Sequence, residues 1–378
     1  MKIELIAIGD EVLYGYTVNT NGSFIAKELL ELGFCPTSHM TIGDDPSQMQ
    51  EALELALKRS DIVITTGGLG PTCDDHTKEV VSNIFTSQEA TLFNNNLGSA
   101  WGFAVEKGAS LLIALPGVPL EMKAMFSQVK EYLKQKFTNR SMPWSCVFHF
   151  LDTKELEIDP LLRDIEKKYP TVCCGIYPAL GQVSVRFTTQ ASSQEEASAL
   201  FQKPQELLLA QFGKKRFESD SGRLDEAVHD KLLLTNETIA TAESCTAGAL
   251  AASLTAYPDS SKYFLGGIVS YANEVKKELL HVGPKVLEEK GAVSIEVVTQ
   301  MAENARSLFR SDIAIGVSGI LGPSGGTPEK PVGTVCAAIA RKTKPTFAWI
   351  MHLHGNRATL REQTIQQILA KLYYGISG

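Results

Sequence analysis

The stretch TIATAESCTAGALAASLT, residues 238–255, decides the fold of the C-terminal part of the chain. It reads as a short buried strand, TIATAES, a turn of small polar residues, and an apolar helix over 246–255. A strand that passes into a helix through Ser244, Cys245 and Thr246 belongs to an α/β domain. In such domains ligands bind at the carboxyl edge of parallel strands. The turn presents hydroxyls and a thiol at that edge, and N–H groups at a helix start stabilise an oxyanion. Ser244 and Thr246 fit ordinary helix caps equally well, so the turn acquires chemical meaning only with a partner.

The partner is Tyr271-Ala-Asn273-Glu-Val-Lys276, which follows the strand LGGIVSYA. With Asn273 as N-cap, Lys276 lies in the first turn of a helix, where the dipole disfavours its charge. Burial lowers its pKa further, and both effects make a base usable near neutral pH. If the two strands run parallel, Ser244 and Lys276 share one edge of the sheet. Ser261, in PDSSKYF, is the alternative nucleophile, although an ST-turn also explains it. Cys245 is a third, since thiols are good amidase nucleophiles. The loop containing Ser318, Gly319, Gly322, Ser324, Gly325 and Gly326 offers unobstructed N–H groups to a phosphate or carboxamide. Lys330 lies just beyond that loop. Arg357 opens the last helix, where guanidinium and helix start together suit a phosphate.

Outward from this region, helices are expected over 224–234, from Glu274, over 296–309 and from Arg357, with strands DIAIGVSG, GTVCAAIA and TFAWIMHLH between them. ESDSGR at 218–223 reads as a linker. Residues 146–217 alternate strands and helices, with a helix near 159–168 and a longer one that Pro204 is expected to kink or split. TNRSMPWS at 138–145 reads as another linker. Before it, strands KIELIAI, DIVITTGG and SLLIALPG alternate with helices over 21–32, 47–59 (capped by Ser47) and 119–137, which predicts a parallel sheet covered on both faces. Clusters after these strands should meet on one edge: Gly9-Asp10-Glu11, Asn19-Thr20-Asn21, Gly43-Asp44-Asp45 and Thr66-Gly67-Gly68-Leu69-Gly70-Pro71-Thr72-Cys73-Asp74-Asp75. Gly67, Gly68, Gly70 and Thr72 suit a phosphate, and Asp44, Asp74 and Asp75 suit Mg²⁺. Two acids after a turn also favour a helix start with no metal at all.

Bulk properties narrow the class. The 378 residues suffice for two or three domains. A net charge of −7, with no polybasic run, argues against nucleic acid and anionic lipid. No run approaches ~18 apolar residues, and no signal peptide is evident. Seven cysteines without CxxC or zinc spacing read as reduced thiols in a cytoplasmic protein.

Residues 220–378 resemble the CinA C-terminal domain, the nicotinamide-nucleotide amidase family. TAESCTAG stands where that family has TAESCTGG, and PDSSKYFLGGIVSYANEVK, GAVS, VSGILGPSGG, EKPVGTV and HGNR follow in order. The resemblance implies hydrolysis of nicotinamide mononucleotide to nicotinate mononucleotide and ammonia by a Ser/Lys dyad, with no metal in that step. Carried over, it places the dyad on Lys276 and a serine, Ser244 preferred to Ser261. Tyr271 would orient the lysine. Glu243, Cys245, Thr246, Ser318, Gly319, Gly322, Gly325, Gly326 and Arg357 would contact substrate. Two departures are Ala247 for a glycine, expected to tighten the pocket, and Asn356 for an aspartate beside Arg357.

Residues 1–139 resemble the molybdopterin-binding-like three-layer α/β domain at the front of CinA proteins. That implies a Mg²⁺-dependent ADP-ribose pyrophosphatase, with ADP-ribose as ligand and Mg²⁺ as cofactor. Only VVSNIFTSQEATLF separates the helix after Asp75 from the Asn94–Gly102 loop, so the domain is expected to be shortened at its rim, with Trp101 where proline is usual. Residues 145–218 resemble a small α+β KH-like domain, but the GXXG loop that RNA binding needs is missing. Three readings follow: an amidase acting on a small pyridine nucleotide, a pyrophosphatase, and a competence-associated binding protein without catalysis. A homodimer, with no nucleic-acid or membrane partner, is expected in each case.

Overall fold

The structure is a computed structural model that describes residues 1–378 except 73, 86–88, 138–141 and 377–378. The chain divides into two compact units, Met1–Ser145 with Thr188–Gln202, and Cys146–Phe187 with Lys203–Gly378. The described residues form three sheets.

The first sheet contains β1 (Ile3–Ile8), β2 (Ser38–Ile42), β3 (Ile62–Thr66), β4 (Thr91–Phe93), β5 (Gly102–Lys107) and β6 (Ser110–Leu115), in the order β2-β1-β3-β6-β5-β4. The four strands β2, β1, β3 and β6 are parallel, as the alternation predicts. β5 and β4 extend the sheet antiparallel, a departure from the expected all-parallel arrangement. Helices α1 (Asp10–Leu13), α2 (Thr20–Glu31), α3 (Pro46–Arg59), α4 (Thr77–Ile84) and α5 (Pro119–Lys136) connect the strands. Two buried apolar clusters cover β1 and β3: Ile25, Leu29, Met122 and Phe126 belong to one, Met49, Leu53, Val80 and Val81 to the other. Asp45, not Ser47, caps α3: its carboxylate accepts from Gln48 N–H at 2.9 Å, with Pro46 at the first helical position.

The middle of the chain holds β7 (Met142–Leu151), α6 (Glu155–Lys168), β8 (Val172–Ala179), β9 (Gln182–Ala191), α7 (Gln194–Phe212) and β10 (Arg216–Phe217), with sheet order β10-β7-β9-β8. Residues 142–145 of the expected linker are strand, and 138–141 lie outside the described residues. Helix α6 begins four residues before the expected 159. Helix α7 runs on through Pro204 instead of splitting. Phe201, Pro204, Leu208 and Phe212 are all buried at helical spacing, and that apolar stripe outweighs the single hydrogen bond proline removes.

In the last third, α8 (Leu224–Thr235), β11 (Ile239–Glu243), α9 (Ala249–Leu254), β12 (Phe264–Val269), α10 (Asn273–Glu278), α11 (Pro284–Lys290), α12 (Ile295–Phe309), β13 (Ile313–Gly319), β14 (Thr334–Arg341), β15 (Phe347–His352) and α13 (Arg357–Gly375) follow in turn. Sheet order is β12-β11-β13-β14-β15; the first three strands are parallel and the last two antiparallel. The helix expected from Glu274 is two helices, broken before Gly283-Pro284. Leu151 and Phe217 share one buried cluster with Leu224, Val228, Leu232 and residues of α13. β12 carries a bulge: Ile239 pairs with Phe264 but Ala240 with Gly266, so Leu265 has no opposite residue. Among the described residues no helix is long and apolar enough to cross a membrane, and the six described cysteines are free thiols.

Candidate active site

Parallel pairing of β11 with β12 puts the residues after both strands on one edge. Glu243 lies opposite Val269, and Ser270 N–H continues the ladder to the Glu243 carbonyl at 2.7 Å. On the other side, Ser244 N–H donates to the Val317 carbonyl at 2.9 Å. Ser244 is therefore held by strands on both flanks. Lys276, in α10, is only 1% exposed. Its Nζ lies 3.1 Å from Ser244 Oγ, 2.6 Å from the Ser270 carbonyl oxygen and 3.4 Å from that of Tyr271. Burial holds the amine below its usual value, partly offset by the neighbouring Cys245 and Glu274. In a neutral amine the two carbonyls take both N–H groups, and the lone pair is left to the Ser244 hydroxyl.

These groups line a cavity of about 220 Å³ that also includes Cys245, Ser318, Gly319 and Arg357. Arg357 Nη2 donates to Tyr271 Oη at 2.8 Å and Nη1 to the Gly322 carbonyl at 2.8 Å. Both partners are neutral, so the guanidinium charge meets no carboxylate there. Tyr271 thus contacts the lysine through its carbonyl, and its hydroxyl serves Arg357. Asn356 caps α13, accepting from Thr359 N–H at 3.0 Å, so its side chain has a structural task without an aspartate's charge.

Several expectations are corrected. Ser261 lies in a short turn before β12, at the opposite edge of the sheet, and does not line the cavity. Helix α9 starts at Ala249, not Thr246, because Ala247 and Gly248 take left-handed φ values of 54° and 91°, and over that start turns the Glu243 carboxylate. It accepts from Gly248, Leu250 and Ala251 N–H at 3.0, 3.1 and 2.8 Å. Glu243 is buried and serves as a cap instead of a substrate contact, and those three N–H groups are not available to an oxyanion. Thr246 is fully buried; it and Gly322, Gly325 and Gly326 stand outside the cavity lining, with Gly322 acting through Arg357. Cys245 is buried, and desolvation pushes its thiol up to about 12, which keeps it protonated at neutral pH. Ala247 adopts a φ of 54° and is not part of the lining; its methyl strains the backbone instead of narrowing the pocket. Asn273, expected to cap the helix, is instead the first residue of α10 after an Ala272 cap, and Lys276 falls in the last turn of that six-residue helix, so burial and not the start of a helix dipole lowers its pKa. Ala292, Val293 and Leu321 line the cavity with Asn273 without having been singled out; GAVS was visible only as a motif.

The N-terminal clusters also meet, in a cleft of about 510 Å³ lined by Gly67, Gly68, Gly70, Thr72, Asp44, Asp74 and Asp75 among others. Gly67 has a φ of 118°, and a Cβ there would lie 2.0 Å from the Ile8 carbonyl oxygen, so only glycine fits. The expected Mg²⁺ ligands line the same cleft without forming a three-ligand cluster. Asp44 accepts from Asp10 N–H at 2.9 Å, and Asp75 accepts from the Thr72 N–H and hydroxyl. Among the described residues no three His, Cys, Asp or Glu side chains are placed to hold a metal. Cys73 of this motif lies outside the described residues.

The family model of the CinA C-terminal domain matches residues 221–375, and that of the "Probable molybdopterin binding domain" matches 4–135. A competence-damage inducible protein of Clostridioides difficile (strain 630) is 36% identical over 415 residues, covering 98% of each chain. The chain belongs to the CinA family. A second such protein, from Acetivibrio thermocellus, is 35% identical over 400 residues, covering 97% of this chain and 96% of its own. Among solved structures, competence/damage inducible protein CihA from Agrobacterium tumefaciens is 34% identical and covers 42% of this CinA chain and 96% of its own, with a TM-score of 0.40.

Proposed function

We propose that the C-terminal domain hydrolyses the carboxamide of nicotinamide mononucleotide, with Ser244 as nucleophile and Lys276 as base. The 3.1 Å approach of a buried, neutral-leaning amine to a serine hydroxyl carries this reading. Ser244 Oγ attacks the carboxamide carbon while Lys276 Nζ takes its proton. The ammonium then returns that proton to the departing nitrogen, releasing ammonia and leaving an acyl ester on Ser244. Water, deprotonated by the same amine, cleaves the ester to the carboxylate and restores the serine. The N–H of Cys245, which lines the cavity and which Glu243 does not occupy, is a backbone donor for the oxyanion. Arg357 supplies a charge suited to the phosphate.

The test is ammonia release from nicotinamide mononucleotide by the whole chain. Release by the native protein and its loss in Ser244→Ala support the reading. No release by clean native protein from any pyridine nucleotide removes it and favours a non-catalytic, competence-associated role.

A further inference from the structure

Helices α11 and α12 are joined by a turn over residues 291–294, and Ala292 and Val293 of that turn line the cavity that holds the dyad. With Leu321 they are the aliphatic part of a lining that is otherwise mostly polar. An aromatic carboxamide needs such a wall. Its ring face is apolar, while the amide and any anionic end take the polar groups.

Side chains, not strands, hold this turn. Lys330 Nζ donates to the Lys290 and Val293 carbonyls, both at 2.7 Å, and Ser294 Oγ donates to the Gly291 carbonyl at 2.9 Å. Lys290 is the last residue of α11, so its carbonyl is one of those a helix leaves without an internal partner. A cation placed there also meets the negative end of the helix dipole. Lys330 reaches these carbonyls from 40 and 37 residues further along the chain. One ammonium thus bridges both ends of the turn and spends two of its three donors on it. Bonds from an ionised donor are stronger than neutral ones.

The chain also aims this lysine. Lys330 N–H donates to Thr327 Oγ1 at 3.1 Å, and Thr327 N–H donates to the Lys330 carbonyl at 3.0 Å, so residues 327–330 close on themselves. The same loop between β13 and β14 gives Leu321 to the cavity and the Gly322 carbonyl to Arg357. It therefore reaches both the charged end of the cavity and its apolar wall.

We propose that Lys330 is a positioning residue for the amidase: its ammonium clasps the 290–293 segment and so holds Ala292 and Val293 against the ring of the substrate. The proposal rests on the amidase reading above. Lys330 acts through the wall and touches neither Ser244 nor the reacting carbon.

The test combines steady-state kinetics on nicotinamide mononucleotide with backbone hydrogen exchange, both on the whole chain. Lys330→Met is expected to raise KM about tenfold with kcat within about threefold of native, and the amides of 291–293 should exchange about tenfold faster. A general loosening would lower kcat and speed exchange in β11 as well; loss of the clasp leaves both as they are. Lys330→Arg, which keeps a cationic donor, restores most of the native KM. Lys290→Ala removes the 3.4 Å ion pair with Glu296 but keeps the carbonyl that Lys330 uses, and KM stays native. Thr327→Val frees the turn and keeps the ammonium; it moves KM and exchange in the same direction by less, and stands in if Lys330→Met folds poorly. Unchanged exchange at 291–293, an unchanged KM, or a loss confined to kcat overturns the proposal. A native protein that releases no ammonia removes the amidase reading instead, and the exchange rates alone then judge the clasp.

Discussion

Lys276 Nζ touches Ser244 Oγ at 3.1 Å and the Ser270 carbonyl at 2.6 Å, so the same nitrogen is anchored by the backbone and aimed at the nucleophile. Ser244→Ala is expected to lower kcat by about 10³-fold or more with little change in binding, because the residues of such a unit act together. Cys245→Ala should retain kcat within a few fold, since a thiol raised to about 12 supplies almost no thiolate at neutral pH. Ammonia release by the two variants decides between them, and loss in the cysteine variant alone reverses the assignment.

Because burial lowers the Lys276 pKa below its ordinary 10.5, the amine is neutral in the folded protein over a range where the unfolded chain is charged. Between the lowered folded value and 10.5 the unfolded state binds more protons, so this residue's contribution to stability rises with pH through that window. Turnover should rise with pH as the folded amine loses its proton. In Lys276→Met both the rising limb of activity and this component of the stability profile should vanish, as rate and urea titrations against pH would show.

Arg357 meets only neutral partners in the protein, and its charge is free for an anionic substrate group. Arg357→Ala should raise KM for nicotinamide mononucleotide by about 10–100-fold, the range of a lost charge-assisted contact. Turnover of the unphosphorylated riboside should change little. Equal losses for both substrates would remove the phosphate role.

Glu243 satisfies three N–H groups at the start of α9. Glu243→Ala is expected to destabilise the protein by about 3 kcal/mol, the scale of charge-assisted bonds lost in a buried setting. Glu243→Gln should lose less, since one amide oxygen remains to accept. Chemical denaturation of the two variants measures the difference.

Ala247 occupies the left-handed region with a φ of 54°. Ala247→Gly should stabilise the protein by up to about 1 kcal/mol through relief of that strain, set against the greater freedom of glycine in the unfolded chain. KM should stay unchanged, because the methyl does not reach the cavity. A lowered KM would return the methyl to the pocket wall.

The dyad was legible because both of its side chains carry a sequence signature: a hydroxyl in a strand-to-helix turn, and a lysine a few residues after an adjacent parallel strand. Glu243 was not, since an acid beside a nucleophile reads as chemistry until its carboxylate is seen turned back on the helix. The Ser270 carbonyl, which fixes the lysine, leaves no trace in a sequence because every residue has one. Ser261 was misleading for a different reason. Nearness in sequence to β12 says nothing about which edge of the sheet a residue occupies. The short strand β4, TLF, has two exposed residues and too brief an alternation to announce itself. The N-terminal acids were read as ligands from their place after neighbouring strands, which does bring Asp44, Asp74 and Asp75 into one cleft, but the hydrogen bonds that Asp44 and Asp75 accept from their own loops leave no trace in the sequence.

Leu265 gives β12 one more residue than its neighbour needs. Without that supernumerary position Phe264 and Gly266 would adjoin opposite Ile239 and Ala240, which adjoin already, so every later residue of the strand would keep its partner and its face. A codon lost from Gly266 to Val269 instead would turn the rest of the strand over and draw the segment that carries Lys276 back by one step against Glu243 and Ser244. Descendants of this gene can therefore shed Leu265 more readily than any residue that follows it in this edge strand.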